Sequence, residues 1–362
     1  MTEGRHSEHR SKSFIMITLA CSYIGSDVDS SYMRADPVQT LSPIKSHYYV
    51  EHTAALRSRL ALAIPRDELK RLHRRKPWRH ALVTLRQIAL LAASSWVLAT
   101  QGNPLVWIPF AFVQGFTIFN FTVLLHEVVH DTVVNRMSPR LTRLLGLCYA
   151  FPSGISHLQF TRWHLDHHDN LGSNTEDPKR FHLSPKRNAR WYKLLYFTPA
   201  LFPIYFRAAR KEAATYPAAL QRRIGVERNA TILGHLAIMA TIGLTLGAGP
   251  MLRVYVIPYF LIFPIAFALN RLGQHYSIDP KNPAQWSTLV GSSWFWDFAF
   301  LWSNHHLEHH YFPRVPFYHL PRLQKLLRPF YRREGMKPTG YGRLLYGWLV
   351  CNGAPHTDWS LI

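Results

Sequence analysis

Long apolar runs alternate with strongly polar stretches along this chain, and four of the runs reach membrane-spanning length. They cover roughly residues 81–100, 104–125, 229–248 and 252–270, each close to the ~20 residues a helix needs to cross a bilayer. Backbone in hydrocarbon must satisfy its own hydrogen bonds, so each run predicts a helix. The links at 101–103 and 247–250 carry no Lys or Arg. Apolar stretches at 141–151 and 191–206 do not read as spans. The first is too short, and the second is broken by Pro199 and Pro203 and flanked by cations, so it reads as interfacial. Residues 67–80 read as an interfacial helix with Trp78 in the headgroup layer. The aromatic stretch 286–302 predicts a buried or membrane-surface helix. Residues 1–60 read as a disordered or locally amphipathic extension, 61–335 as the membrane domain and 336–362 as a tail. Within the extension, the run 14–24 resembles the centre of a signal peptide, but cleavage there contradicts the orientation derived next.

Charge fixes that orientation. The chain has 362 residues, 48% of them hydrophobic, and a formal charge of +21. The cations gather at 66–79, 186–228 and 314–343, and the positive-inside rule places these three segments in the cytoplasm. A balance this basic also suits nucleic acid, but the apolar runs assign it to a membrane and exclude a nucleic-acid partner. Cys21, Cys148 and Cys351 lie far apart without CxxC spacing. They form no thiolate metal site or disulfide framework, which fits a reducing compartment.

Histidines supply the candidate chemistry. They crowd into HEVVH from His126 to His130, HLDHH from His164 to His168, and HLEHH from His306 to His310. A helix sets residues three and four apart on one face. His126 pairs with His130, while His164, His167 and His168 converge, as do His306, His309 and His310. Eight converging imidazoles exceed what a four-coordinate zinc uses, so two nitrogen-bound metal ions are the economical reading. The first two clusters follow the second run and the third follows the fourth. An even number of crossings puts all three on one side, in agreement with the charge pattern. Imidazole suits iron, zinc, copper and nickel alike. A redox-active iron pair that activates dioxygen is the reading that suits a site just above a bilayer, where the substrate is a lipid chain. Glu127, Asp131, Asp166 and Glu308 can accept the free ring N–H of a ligand histidine. HEVVH also satisfies the HExxH pattern of zinc proteases, which leaves the other two clusters unexplained. A metal transporter is a further alternative, but transporters place polar ligands within their spans.

With its HxxxH, HxxHH and HxxHH boxes in this order, Trp163 before the second box, and NHHLEHHYFPRVPFYHLPRL from Asn304 to Leu320, the sequence resembles the integral-membrane fatty acid desaturases and their hydroxylase relatives. The resemblance covers roughly residues 79–328. It implies an all-α membrane protein, with four transmembrane helices under a cytoplasmic helical cap that holds two irons. It also implies use of dioxygen and two electrons. A ninth ligand is implied after the fourth span, and His275 is the candidate. Some relatives carry an asparagine four residues before that histidine, whereas Asn270 stands five before. Asn304 joins the residues expected to support the ligands, and His305 is expected as a neighbour rather than a ligand. His157, His182, His235 and His319 are expected outside the site. The activity implied is desaturation of a fatty acyl chain on a lipid or thioester, with acyl or sphingoid hydroxylation and carotenoid ring oxidation as alternatives. No haem segment of HPGG type and no flavin GxGxxG is present, so a separate donor is expected, a ferredoxin or a b-type cytochrome with its reductase. The basic face suits such an acidic carrier and equally suits anionic headgroups.

Overall fold

The structure, a computed structural model, describes residues 47–354; the signal-peptide-like run 14–24 lies outside them. Among the described residues the architecture is helical. The helices that build the body are α1 (Ala54–Ala63), α2 (Arg66–Leu72), α3 (Pro77–Thr100), α4 (Pro104–Val129), α5 (Pro139–Ala150) and α6 (His157–Asp169). They continue with α7 (Leu201–Ala213), α8 (Ala218–Leu246), α9 (Ala248–His275), α10 (Trp294–Ala299), α11 (His306–Tyr311) and α12 (Leu320–Arg333).

Helices α3, α4, α8 and α9 are long and apolar enough to cross a membrane, and they match the four predicted runs to within two residues at the 229–248 end. Their ends follow local chemistry. Proline opens α3 and α4, where its missing N–H is of no consequence. Asn103 caps α4 through its side chain, which accepts from the Leu105 N–H at 3.0 Å. Gly247, at φ 89°, stops α8 in a conformation that only glycine adopts readily. The four differ in enclosure: α4 is the most buried and α8 the least. Gly115 of α4 allows α9 close, since an added Cβ would lie 2.9 Å from the Pro258 carbonyl oxygen. The middle of α9, Leu252–Ile262, is π-wound around Pro258.

The shorter helices gather where α4 and α9 end. One buried core runs from Leu124 and Leu125 of α4 and Leu269 and Leu272 of α9 into Leu307 of α11 and Leu323 and Leu327 of α12. It also takes in Leu56 and Leu60 of α1, so the boundary drawn at residue 60 falls inside a packed helix. Trp348 and Tyr341, beyond the boundary at 335, are buried in the same core.

Two predicted helices are shorter than expected. In 67–80 the helix ends at Leu72, and α3 starts afresh at Pro77. Arg75 spans the break by donating to the Val134 and Asn135 carbonyls. In 286–302 only Trp294–Ala299 is helical. The preceding residues are held as extended chain by bonds from the Thr288 N–H to the Gln274 carbonyl and from the Gly291 N–H to the Thr339 carbonyl. Cys148 and Cys351 are free and exposed.

Candidate metal centre

The three boxes ride on different helices. α4 runs past its apolar stretch to carry His126, with His130 as its C-terminal cap residue. α6, capped by Ser156, carries His164, His167 and His168, and α11 carries His306, His309 and His310. His275 is the last residue of α9. These nine histidines converge as two groups. His126, His130, His164, His168 and His309 form one, and His167, His275, His306 and His310 the other, with ligand atoms within 4.8 Å of one another in each. The eight box histidines and His275 are thus brought together.

Orientation decides what such groups can do. In the first, the Nε2 atoms of His126 and His168 each lie 3.0 Å from that of His309, and those of His130 and His164 lie 2.7 Å apart. In the second, His275 Nε2 lies 3.1 Å from that of His167 and 3.0 Å from that of His306. Several of the opposite ring nitrogens are held from behind. His167 Nδ1–H donates to Asp177 at 2.8 Å, and His275 Nδ1–H donates to the Trp286 carbonyl at 3.2 Å. Lys179 Nζ lies 2.9 Å from His164 Nδ1. Burial pushes His130, His164, His167, His168, His306, His309 and His310 well below the ordinary histidine range. Neutral at pH 7, a ring whose Nδ1 holds the proton, as His167 does against Asp177, turns its Nε2 lone pair inward, where it repels its neighbours unless something positive lies between them. An all-nitrogen set of this kind fits two first-row transition-metal ions.

The residues behind the histidines differ from expectation. Glu127 is the expected residue that approaches a box ring, at 3.5 Å from His126 Nδ1. Its other contacts are the Thr132 hydroxyl and the Phe317 N–H, both of which donate to it. Asp131 pairs with Arg75 at 3.1 Å, and Asp166 with Arg162 at 3.0 Å. Asn304 donates to Asp297, which also accepts from His305 at 3.0 Å. Glu308 accepts from Tyr331 and Gln324, tying α11 to α12. Asn270 donates to Ser303 and accepts from Gln274. The residue four before His275 is Arg271.

Sequence reasoning missed Asp177, Lys179 and the Trp286 carbonyl. Asp177 sits ten residues after His167 in a stretch with no periodicity to mark it. Burial pushes its carboxyl up to about 6, and burial together with the Arg271 guanidinium pushes Lys179 down to about 7. Removing the charge in Asp177→Asn is expected to weaken metal binding at the second group by ~10–100-fold, the usual effect of losing such support. Competition with a graded chelator measures it; unchanged retention would show that Asp177 does not tune the site.

A cavity reaches the histidines from the apolar side. It encloses about 1160 Å³ of empty space, mouth included, between α4, α7 and α9. Phe119, Val123, Phe202, Phe263 and Phe267 form much of its wall, and His126, His164, His306 and His309 are on its lining.

The sequence model described as fatty acid desaturase matches residues 102–341. The chain belongs to the fatty acid desaturase family. Membership makes it an oxidoreductase, and the histidine groups point to a metal cofactor. Among its relatives is the temperature-sensitive sn-2 acyl-lipid omega-3 desaturase (ferredoxin), chloroplastic, of Arabidopsis thaliana. That protein is 23% identical over 296 residues, covering 75% of this chain and 67% of the relative. A chloroplastic omega-3 fatty acid desaturase of Glycine max is 25% identical over 289 residues, covering 72% and 63%. The sn-2 acyl-lipid omega-3 desaturase (ferredoxin), chloroplastic, of Helianthus annuus is 26% identical over 310 residues, covering 78% and 69%. The chain therefore spans about two-thirds of the length of these relatives.

Proposed function

We propose that this protein desaturates a fatty acyl chain, using dioxygen and a pair of irons held by the nine histidines. The observation that carries the reading is the two inward-facing groups of buried imidazoles set against the wall of an apolar cavity. Bound iron would supply the dioxygen chemistry that takes two hydrogens from adjacent methylenes, with two electrons from outside and two waters formed. The protein's own residues hold, orient and exclude. His126, His130, His164, His168 and His309 would hold one ion, and His167, His275, His306 and His310 the other. Asp177 and the Trp286 carbonyl fix their rings. The phenylalanines of the cavity align an unbranched chain and keep bulk water from the reacting carbons.

With four crossings by α3, α4, α8 and α9 the histidine groups would share a side with the basic segments, and the positive-inside rule supports reading that side as cytoplasmic. The donor is a separate electron carrier, and the relatives named for ferredoxin support an acidic one. The zinc-protease reading loses its general base, because Glu127 is buried and engaged by Thr132 and Phe317.

Expression in a host with simple lipids, followed by fatty acid profiling, tests the proposal. A new unsaturated species is expected. A hydroxylated species would move the assignment to the hydroxylase relatives, and an unchanged profile with iron-loaded protein and a competent donor would overturn it.

A further inference from the structure

The box histidines come in twos and threes along α4, α6 and α11, whereas His275 stands alone as the last residue of α9. The final turn of a helix has unpaired carbonyls and frays first. A lone ligand at such an end needs support from outside its own helix. Part of that support comes from nearby, where the Ser287 hydroxyl and the Thr288 N–H both donate to the Gln274 carbonyl. The rest comes from far along the chain. The Trp348 ring stacks on the ring of Tyr276, the residue after His275, with centroids 4.7 Å apart and planes inclined by 8°. Tyr276 in turn accepts a hydrogen bond from Arg271 on the preceding turn of α9.

Trp348 is itself fixed from behind. Lys193, in the short helix Arg190–Leu194, is fully buried, and its Nζ lies 4.2 Å from the centre of the Trp348 ring. An ammonium donates through each of its N–H bonds, and Lys193 spends all three on the segment that carries this ring. They go to the Trp348 carbonyl at 3.0 Å, the Asn352 side-chain oxygen at 2.8 Å and the Gly353 carbonyl at 2.8 Å. Beside it, Arg190 donates to the Leu349 and Val350 carbonyls at 2.9 and 2.8 Å. A buried cation is unfavourable unless its hydrogen bonds are complete. Those of Lys193 are complete, and together with those of Arg190 they fasten the turn Tyr346–Val350 and the residues just after it. Trp348 lies outside residues 102–341, which match the family model, so the match does not supply this arrangement.

We infer that Trp348 and Lys193 are positioning residues for the metal centre: Lys193 locks Trp348 in place, Trp348 clamps Tyr276, and the clamped helix end holds His275 in the four-histidine group. The inference rests on the reading of the histidine groups as metal sites, and it deepens that reading. The clamp acts on one group only, because His275 belongs to the group of His167, His306 and His310 and not to the other.

The test uses the full-length chain in phosphatidylcholine nanodiscs, stripped of metal and titrated with cobalt(II) against a graded chelator. His167→Ala identifies which binding step belongs to the four-histidine group. Trp348→Leu is expected to weaken that step by ~10-fold or more, the usual scale for lost ligand support, and to leave the five-histidine step unchanged. Trp348→Phe keeps an aromatic face for Tyr276 and should restore most of the affinity. Lys193→Met releases the segment but leaves the ring in the chain, and it should show the same selective loss. Tyr276→Leu breaks the same stack from its partly exposed side, and it decides the question if Trp348→Leu fails to insert in the membrane. A contact that is only architectural would weaken both steps in proportion to the melting temperature, or neither. Either result overturns the inference, as would a loss that Trp348→Phe does not relieve. The outcome is separable from the metal-centre reading. Two cobalt ions bound equally well by the unaltered protein and by Trp348→Leu remove only the clamp, whereas an unaltered protein that takes up no cobalt removes the metal centre and the clamp with it.

Discussion

Replacing His309 by alanine is expected to abolish turnover and to lower bound metal from two ions per chain to about one. His309 Nε2 lies 3.0 Å from the Nε2 atoms of both His126 and His168, so its loss opens the five-histidine group from two sides. His167→Ala should do the same to the other group, where His167 Nε2 faces His275 at 3.1 Å and Asp177 supports its far side at 2.8 Å. Activity should fall to background in either variant, because the proposed chemistry requires both ions. The remaining ion differs, so the two variants should give different metal spectra. Both side chains are buried, and truncation also leaves a void worth roughly 2–5 kcal/mol by analogy with other large-to-small changes. The controls are therefore membrane insertion and a melting curve for each variant, with metal counted per folded chain. Two ions retained, or turnover near that of the unaltered protein, would remove these residues from the ligand set.

The convergence of the box histidines was legible in the sequence because helical spacing converts a short motif into a shared face. HLDHH and HLEHH place three imidazoles on one side of α6 and α11 by geometry alone, and the run 104–125 predicts the helix that delivers His126. His275 had no such local signal and came only through family resemblance. It reaches the site because α9 ends there. The supporting residues were harder to read because acids inside the boxes have closer partners. Asp166 lies one turn from Arg162, and an i,i+4 ion pair satisfies it locally. Glu308 turns outward from the histidines to Tyr331 and Gln324, which the sequence places 23 and 16 residues away. Asp177 reaches His167 by a loop path that no periodicity describes. The shortened helix in 286–302 has a similar cause. Its apolar residues satisfy a burial pattern, yet backbone bonds to Gln274 and Thr339 claim the first part as extended chain. Burial was predictable there, and backbone conformation was not.

Mild acid is expected to release the metal and lower the melting temperature together. Burial holds the seven box histidines outside the spanning helices well below the ordinary histidine range. In the unfolded chain the same rings titrate near ~6.5. Below that value the unfolded state binds more protons than the folded one, so stability falls as pH falls. Each such histidine contributes a slope of up to ~1.4 kcal/mol per pH unit once the unfolded ring is protonated. Metal binding acts in the same direction, because an ion holds only the neutral ring and every proton competes with it. Metal content and melting temperature should therefore drop steeply together between about pH 6.5 and 5. His309→Ala, with one ring fewer and one group already open, should show the shallower fall. Melting curves and metal analysis across that range check the sign. A protein equally stable and fully loaded at pH 5 would mean that the rings are not held as buried, neutral donors, and the metal-centre assignment would fail with them.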